Sequence, residues 1–344
     1  MAGIGPAELV AGIVLVALTA YVLLGGADYG GGVWDLLASG PRKREQRALI
    51  AEAIGPIWEA NHVWLILVVV VLFTCFPVAF ARLSIGLHIP LSLMLIGIVL
   101  RGSAFTFRSH YGHTGEHDDP AGTSQHWGRI FAIASVGTPV MLGLCISALA
   151  AGTLRRPGRA GFYESYVGPW LTPFGVGVGL LTLALFAFLA AVYLTLEARE
   201  PALREDFRGR ALGAAGAVFV AAFGTLGLAL LGAPLAGRGL TGAPWAPALH
   251  LATGVAAVAA IWALWSRRFG LARVAAAAQV TLILWGWALA QYPYLIPPDL
   301  TIQAAAAPRI TLVLSLWVLG LGALVLFPSL VYMFRVFKRA PIDR

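Results

Sequence analysis

The chain has 344 residues, of which 59% are hydrophobic and only 12% charged, with a formal net charge of +8 and a mean hydropathy of +0.82. Soluble domains carry roughly 25% charged residues, so a water-exposed globular surface is excluded. The expected fold class is all-α, a polytopic membrane protein, because unpaired backbone groups cannot face lipid.

A hydrocarbon layer of about 30 Å takes roughly 20 helical residues to cross. Nine runs of that size fall near residues 8–24, 60–80, 83–100, 130–153, 169–196, 211–232, 245–265, 272–291 and 310–334. The first has no Lys or Arg before Arg42, so it lacks the basic segment of a signal peptide and is expected to remain as the first membrane helix. It ends in "GGADYGGGVW", where Gly25, Gly26, Gly30, Gly31 and Gly32 permit a sharp turn around Asp28.

"GPIWEANHVW" (55–64) leads into the second run. Pro56 suits an early helical position, because its missing N–H costs nothing there. A helix starting here puts Glu59 and His62 on one face, three residues apart, and Trp58 and Asn61 likewise. Trp58 and Trp64 suit a membrane interface. Pro77, Pro90 and Pro139 fall within expected helices and should kink them. Cys75 and Cys145 read as small core residues, with no disulfide framework.

Arg101 closes the third run. Beyond it His110, His113, His117 and His126 gather beside Glu116, Asp118 and Asp119. The H-x2-H-x3-H spacing matches no strong metal signature, so a solvated loop without metal is expected. "FGVGVGL" (174–180) has glycines two apart inside a membrane run, which favours close helix packing over a dinucleotide fingerprint. "QYPYLIPPDL" (291–300) ends the eighth run with aromatics and prolines. No fixed-period repeat and no sizeable soluble segment interrupts the pattern, so residues 1–344 are expected to form a single transmembrane domain.

With nine spans the loops alternate between two sides. The segments 25–59, 101–129, 197–210, 266–273 and 335–344 hold 18 Lys/Arg, against six on the opposite side. Basic residues favour cytoplasmic loops, so the N-terminus is expected outside and the C-terminus in the cytoplasm. Membrane orientation accounts for the basicity, and no nucleic-acid partner is implied. Asp28, Glu59 and Arg101 then share the cytoplasmic side. Acids at membrane depth cost a few kcal/mol and by default suggest an ion or proton path; Arg101 alone would serve equally well as a positive-inside anchor. His62, His88 and His250 are of a type that can ligate haem. With no C-x-x-C-H present, haem held by this chain alone is not expected.

The stretch "GGADYGGGVWDLL…GPIWEANHVWLI…LFTCFPVAFA" resembles subunit II of the cytochrome bd-type quinol oxidases, the membrane oxidases that reduce oxygen to water. The family's Trp-Asp/Glu-Gly-Asn-x-x-Trp pattern, followed by an apolar run ending Phe-Pro, is matched by Trp58, Glu59, Asn61, Trp64, Phe76 and Pro77, with Ala60 in place of Gly. Arg101, "TPFG" (172–175) and "YPYLIP" (292–297) extend the resemblance over almost the whole chain. Two departures stand out: Gly25 replaces the first of the family's two acids in the glycine-rich turn, and His62 stands where Gln or Glu is common.

The resemblance implies a haem-free second subunit in a bacterial or archaeal-type cytoplasmic (inner) membrane. It implies a haem-bearing subunit I as partner, carrying haem b and haem d type groups, with quinol and membrane lipid as further partners and room for a small accessory subunit. A structural quinone is compatible with it. Glu59 and Asp28 would carry a proton route from the cytoplasm, with Trp58, Asn61, His62, Trp64 and Arg101 in support. The alternatives are a secondary transporter of a small ion or metabolite and a purely structural membrane scaffold. Transporters often have broken helices and charges at mid-membrane, whereas the acids here cluster at one face.

Overall fold

The computed structural model describes residues 5–54, 58–112, 123–154 and 161–337, without the side chains of 58–60, 108–112, 123–125 and 333–337. In chain order the elements are α1 (Pro6–Leu36), α2 (Lys43–Ile54), α3 (Trp58–Cys75), α4 (Pro77–Gly86), α5 (His88–Gly112), α6 (Thr123–Ala151) and α7 (Phe162–Tyr166). There follow α8 (Pro173–Glu197), α9 (Pro201–Gly232), α10 (Pro234–Gly242), α11 (Ala246–Trp265), α12 (Phe269–Gln291), β1 (Tyr294–Ile296), β2 (Leu300–Thr301), α13 (Ile302–Ala305) and α14 (Arg309–Phe337). Among the described residues eight helices are long and apolar enough to cross a membrane: α1, α5, α6, α8, α9, α11, α12 and α14. Counting the bent pair α3–α4 as one span makes nine. The all-helical, multi-pass architecture expected from hydropathy is the one observed.

Two elements differ from expectation, each for a clear reason. The glycine-rich stretch does not turn: α1 runs unbroken for 31 residues, about 46 Å at 1.5 Å per residue. Each glycine costs a helix roughly 1 kcal/mol relative to alanine, so propensity opposes this continuation and packing must supply it. A Cβ at Gly30 would overlap the Phe186 carbonyl and one at Gly32 the Ser135 hydroxyl; at Gly26 it would stand 2.5 Å from Leu189 and at Gly31 2.5 Å from Ile54. The glycines form a seam along which α8, α6 and α2 approach the α1 backbone.

The run at 60–80, in turn, is not one kinked helix. Pro77 lacks an N–H and cannot continue α3. It begins α4 instead, with Phe76 at the junction (φ −135°, ψ 57°), and the two helices meet at 118°. The Cys75 carbonyl left open at this break accepts a 2.8 Å hydrogen bond from the Ala307 N–H. Pro90 lies in the first turn of α5, where it costs no hydrogen bond, so of the three prolines singled out from sequence only Pro139 sits inside a span, α6; Pro328 is likewise inside α14.

The core centres on α8, whose Phe186, Phe188, Leu189, Ala190, Ala191 and Val192 are almost fully buried. Around it stand α1, α6, α9 and α12. At the end of the bundle where α1 finishes, α2 lies against the spans through Gln46, Ile50 and Ile54, spaced four residues apart on one face. The opposite end is closed by a second cluster that includes Val10, Phe76, Trp170, Ile296 and Leu300. The short antiparallel β1–β2 pair contributes Ile296 and Leu300 to this cluster, and at the surface Arg82 of α4 pairs with Asp299 of the β1–β2 connection at 3.2 Å. The peripheral helix α14 is only 6% buried over its apolar window and touches α3 through Phe327, whose ring lies 6.5 Å from Trp64.

Candidate functional site

Three spans converge where α1 passes through its glycines. Asp28 of α1 is fully buried and Arg101 of α5 is 2% exposed. Arg101 Nη2 stands 2.5 Å from Asp28 Oδ1 and donates to the Asp28 backbone carbonyl at 2.8 Å. Its Nε donates to the Ser135 hydroxyl of α6 at 3.0 Å, and that hydroxyl donates to the Phe131 carbonyl at 2.7 Å. The guanidinium lies between two aromatic rings, 4.9 Å from Tyr29 and 4.8 Å from Phe131. A buried charge is tolerable only when its donors and its charge are both met. Here one arginine ties α1, α5 and α6 together by satisfying both demands.

Asn61 of α3 is fully buried and, with His62, flanks the Asp28 carboxylate. Gly25 makes the room: a Cβ there would stand 3.1 Å from Asn61 Nδ2 and 3.6 Å from the Tyr29 ring. Among the described residues Asp28 Oδ2 and both polar atoms of the Asn61 amide complete no hydrogen bond of good geometry. Neighbouring buried polar atoms with open valences are what ordered water bridges. Trp64 is buried deeper along α3, against α14. The backbone of Trp58 and Glu59 belongs to the first turn of α3, and their side chains lie outside the described residues.

Two tyrosines join this cluster that the sequence reading did not single out. Tyr21 and Tyr29 of α1 are 0% and 1% exposed, and their hydroxyls lie 3.4 Å apart. The Tyr29 ring also stacks on Phe186 at 6.0 Å. Tyr21, Gly25, Asp28, Tyr29 and Gly32 follow a spacing of three and four, one face of a continuous helix. That signal becomes visible only if the glycine run is read as helix.

Outside the buried cluster, the same end of the bundle is laced by ion pairs. Arg42 holds Asp206 in a two-point contact at 2.5 and 2.9 Å, Gln46 donates to the same carboxylate at 2.9 Å, and Arg210 donates to Gln46 at 2.7 Å. Glu205 accepts from Arg208 at 2.6 Å and Arg267 at 2.7 Å. These bonds fasten α2 and the α11–α12 turn to the start of α9. The basic residues of this end therefore clamp helices together.

The remaining histidines take no part in the cluster. His88 and His250 are exposed beside the carbonyls of Ile85 and Leu240, and His126 is exposed at the start of α6. His113, His117, Glu116, Asp118 and Asp119, and the side chain of His110, lie outside the described residues. Among the described residues no three His, Cys, Asp or Glu side chains group closely enough to hold a metal ion. A cleft lined by Ala27, Ile54, Tyr193, Glu197 and Arg273 has a volume of about 40 Å³. That is room for ordered water.

Residues 6–337 match the family described as cytochrome bd terminal oxidase subunit II. The chain belongs to this family. Among curated bd oxidase subunits, cytochrome bd ubiquinol oxidase subunit 2 of Bacillus subtilis is 31% identical over 41% of this chain and 39% of that protein. Cytochrome bd-I ubiquinol oxidase subunit 2 of Escherichia coli K12 is 26% identical over 54% of this chain and 47% of its own length. The matched stretch thus spans less than half of either relative. The putative cytochrome bd menaquinol oxidase subunit II of Bacillus subtilis is 22% identical over 93% of this chain and 92% of that one. A solved structure of bd oxidase from Geobacillus thermodenitrificans superposes with a TM-score of 0.79 at 22% identity, covering 97% of this chain and 98% of its counterpart. At that identity the likeness establishes the bd oxidase subunit fold.

Proposed function

We propose that the chain is the haem-free second subunit of a bd-type quinol oxidase, and that it admits protons from the cytoplasm for the reduction of oxygen to water. The observation that carries this reading is the buried Asp28–Arg101 pair with Asn61 beside it, in a chain of the subunit II family. It lies toward the C-terminal end of α1, on the side to which the sequence count assigns 18 of the 24 Lys/Arg. A transporter or an inert scaffold has no comparable family match behind it.

The haems of a partner subunit would supply the redox chemistry. The quinol, membrane lipid, and any small accessory subunit or structural quinone would meet this chain at its outer surface. Protons would be taken up at Glu59 and passed through ordered water to Asp28. Arg101 also donates to the Asp28 carbonyl and to Ser135, so those hydrogen bonds persist when the carboxylate takes up a proton, and the loss of the counter-charge favours passing the proton on. Asn61 offers both a donor and an acceptor beside that carboxylate.

Purified from its native membrane, the chain should come with a second polytopic subunit that carries all the haem in the visible spectrum. Stoichiometric haem on the chain expressed alone would overturn the assignment. Orientation in the inner membrane has its own test. A membrane-impermeant maleimide should label Phe162→Cys in intact cells, and Ser39→Cys only after lysis, both positions being exposed at opposite ends. The reverse pattern would place the N-terminus in the cytoplasm.

A further inference from the structure

Tyr21 is the middle residue of α1, seven residues before Asp28, or about 10 Å further along the helix axis. Its hydroxyl meets that of Tyr29 at 3.4 Å, and neither phenol has another hydrogen-bond partner among the described residues. Phenylalanine would serve the packing at both sites, since the stack on Phe186 and the cation contact with Arg101 involve the Tyr29 ring alone. The hydroxyls add a desolvation cost of about 1–3 kcal/mol each unless bonded, and a contact of 3.4 Å lies at the long limit of a hydrogen bond. Packing therefore gives no reason for two phenols here.

Their placement does. The Asn61 amide, which flanks the Asp28 carboxylate, meets the Tyr29 ring over Gly25, and the Tyr29 hydroxyl meets that of Tyr21, nearer the middle of α1. The missing side chain at Gly25 lets the Asn61 amide and the Tyr29 ring sit side by side. We propose that Tyr29 and Tyr21 form a two-hydroxyl relay that carries protons from Asp28 toward the middle of the membrane. This rests on the reading that protons are taken up at this end.

A phenol is donor and acceptor at once. Protonated Asp28 hands its proton to a bridging water as that water gives one to Tyr29 oxygen, whose own O–H bond breaks toward Tyr21 oxygen. Tyr21 in turn gives its original proton to a second water on the side of the membrane centre. Each step forms one O–H bond and breaks one, with no phenolate formed, and rotation of the hydroxyls resets the pair.

The test uses the assembled oxidase with Tyr21→Phe, Tyr29→Phe and the double variant, and Glu59→Gln as the control for uptake. Both single variants should keep the haem spectrum. Quinol-driven oxygen consumption should fall about tenfold, with a larger solvent deuterium isotope effect, because proton delivery becomes limiting. The double variant should be no slower than the slower single one, since both act on one path. Wild-type rates and isotope effects in the tyrosine variants, with Glu59→Gln slowed, overturn the relay and leave the uptake reading standing. A wild-type rate in Glu59→Gln removes both. If one tyrosine variant fails to assemble, the other decides; failure of both overturns the relay in favour of a structural role.

Discussion

Asp28→Asn is expected to cut the yield of assembled complex and lower its thermal unfolding midpoint, because it leaves Arg101 charged and buried without its counter-ion. Breaking a buried pair from one side typically costs about 3–5 kcal/mol, whereas removing both charges is often close to neutral. Arg101 is 2% exposed, and its remaining partners are a carbonyl and a hydroxyl. Combining Asp28→Asn with Arg101→Met should therefore recover most of the stability, a non-additivity expected of residues in direct contact. Turnover should stay low in both, since neither retains a titrating group at position 28. Unchanged thermal stability of Asp28→Asn would show that the pair does not join α1 to α5. A wild-type rate in the double variant would remove Asp28 from the proton route.

Glu59→Gln should leave assembly intact and depress oxygen consumption. Glutamine keeps the size of the side chain and can still hydrogen-bond but cannot titrate, and a positioned proton carrier typically contributes 10²-fold or more in rate, so a fall of about 100-fold or more is expected. Glu59→Asp should be milder, because the shorter acid still titrates. The measurement is quinol-driven respiration of the purified complex between about pH 6 and 8, with the haem spectrum as the check on folding. Normal assembly with a wild-type rate throughout would make Glu59 an interfacial polar residue and favour the scaffold reading.

The spans were legible from hydropathy because lipid imposes a single length requirement on each of them. The convergence of Asp28 and Arg101 was legible only as a shared side; the ion pair depends on a helix crossing that no local pattern encodes. The tyrosines were hidden by a choice about glycine. Read as a turn, "GGADYGGG" separates Tyr21 from Tyr29, whereas as helix it sets them on one face, and the deciding factor is packing against α8 and α6. The α3–α4 break could have been read from Phe76-Pro77, since proline starts a helix more readily than it continues one. Helix α2 was masked by its charges: "KREQRALIAEAI" reads as a polar loop until Gln46, Ile50 and Ile54 are seen as one buried stripe. The bond from Arg42 to Asp206 spans 164 residues and had no sequence signal at all.

The glycine seam of α1 also constrains how this protein can change over generations. At Gly26 and Gly31 the obstruction to a larger residue is a side chain, Leu189 or Ile54. A compensating replacement by a smaller residue on α8 or α2 could precede the change and make it neutral. At Gly30 the obstruction is the Phe186 carbonyl, which every amino acid at position 186 presents alike. No single exchange on the facing helix opens that position. Drift is thus free to rewrite the ends of the seam in coupled pairs, while its centre is held by a backbone that mutation cannot remove.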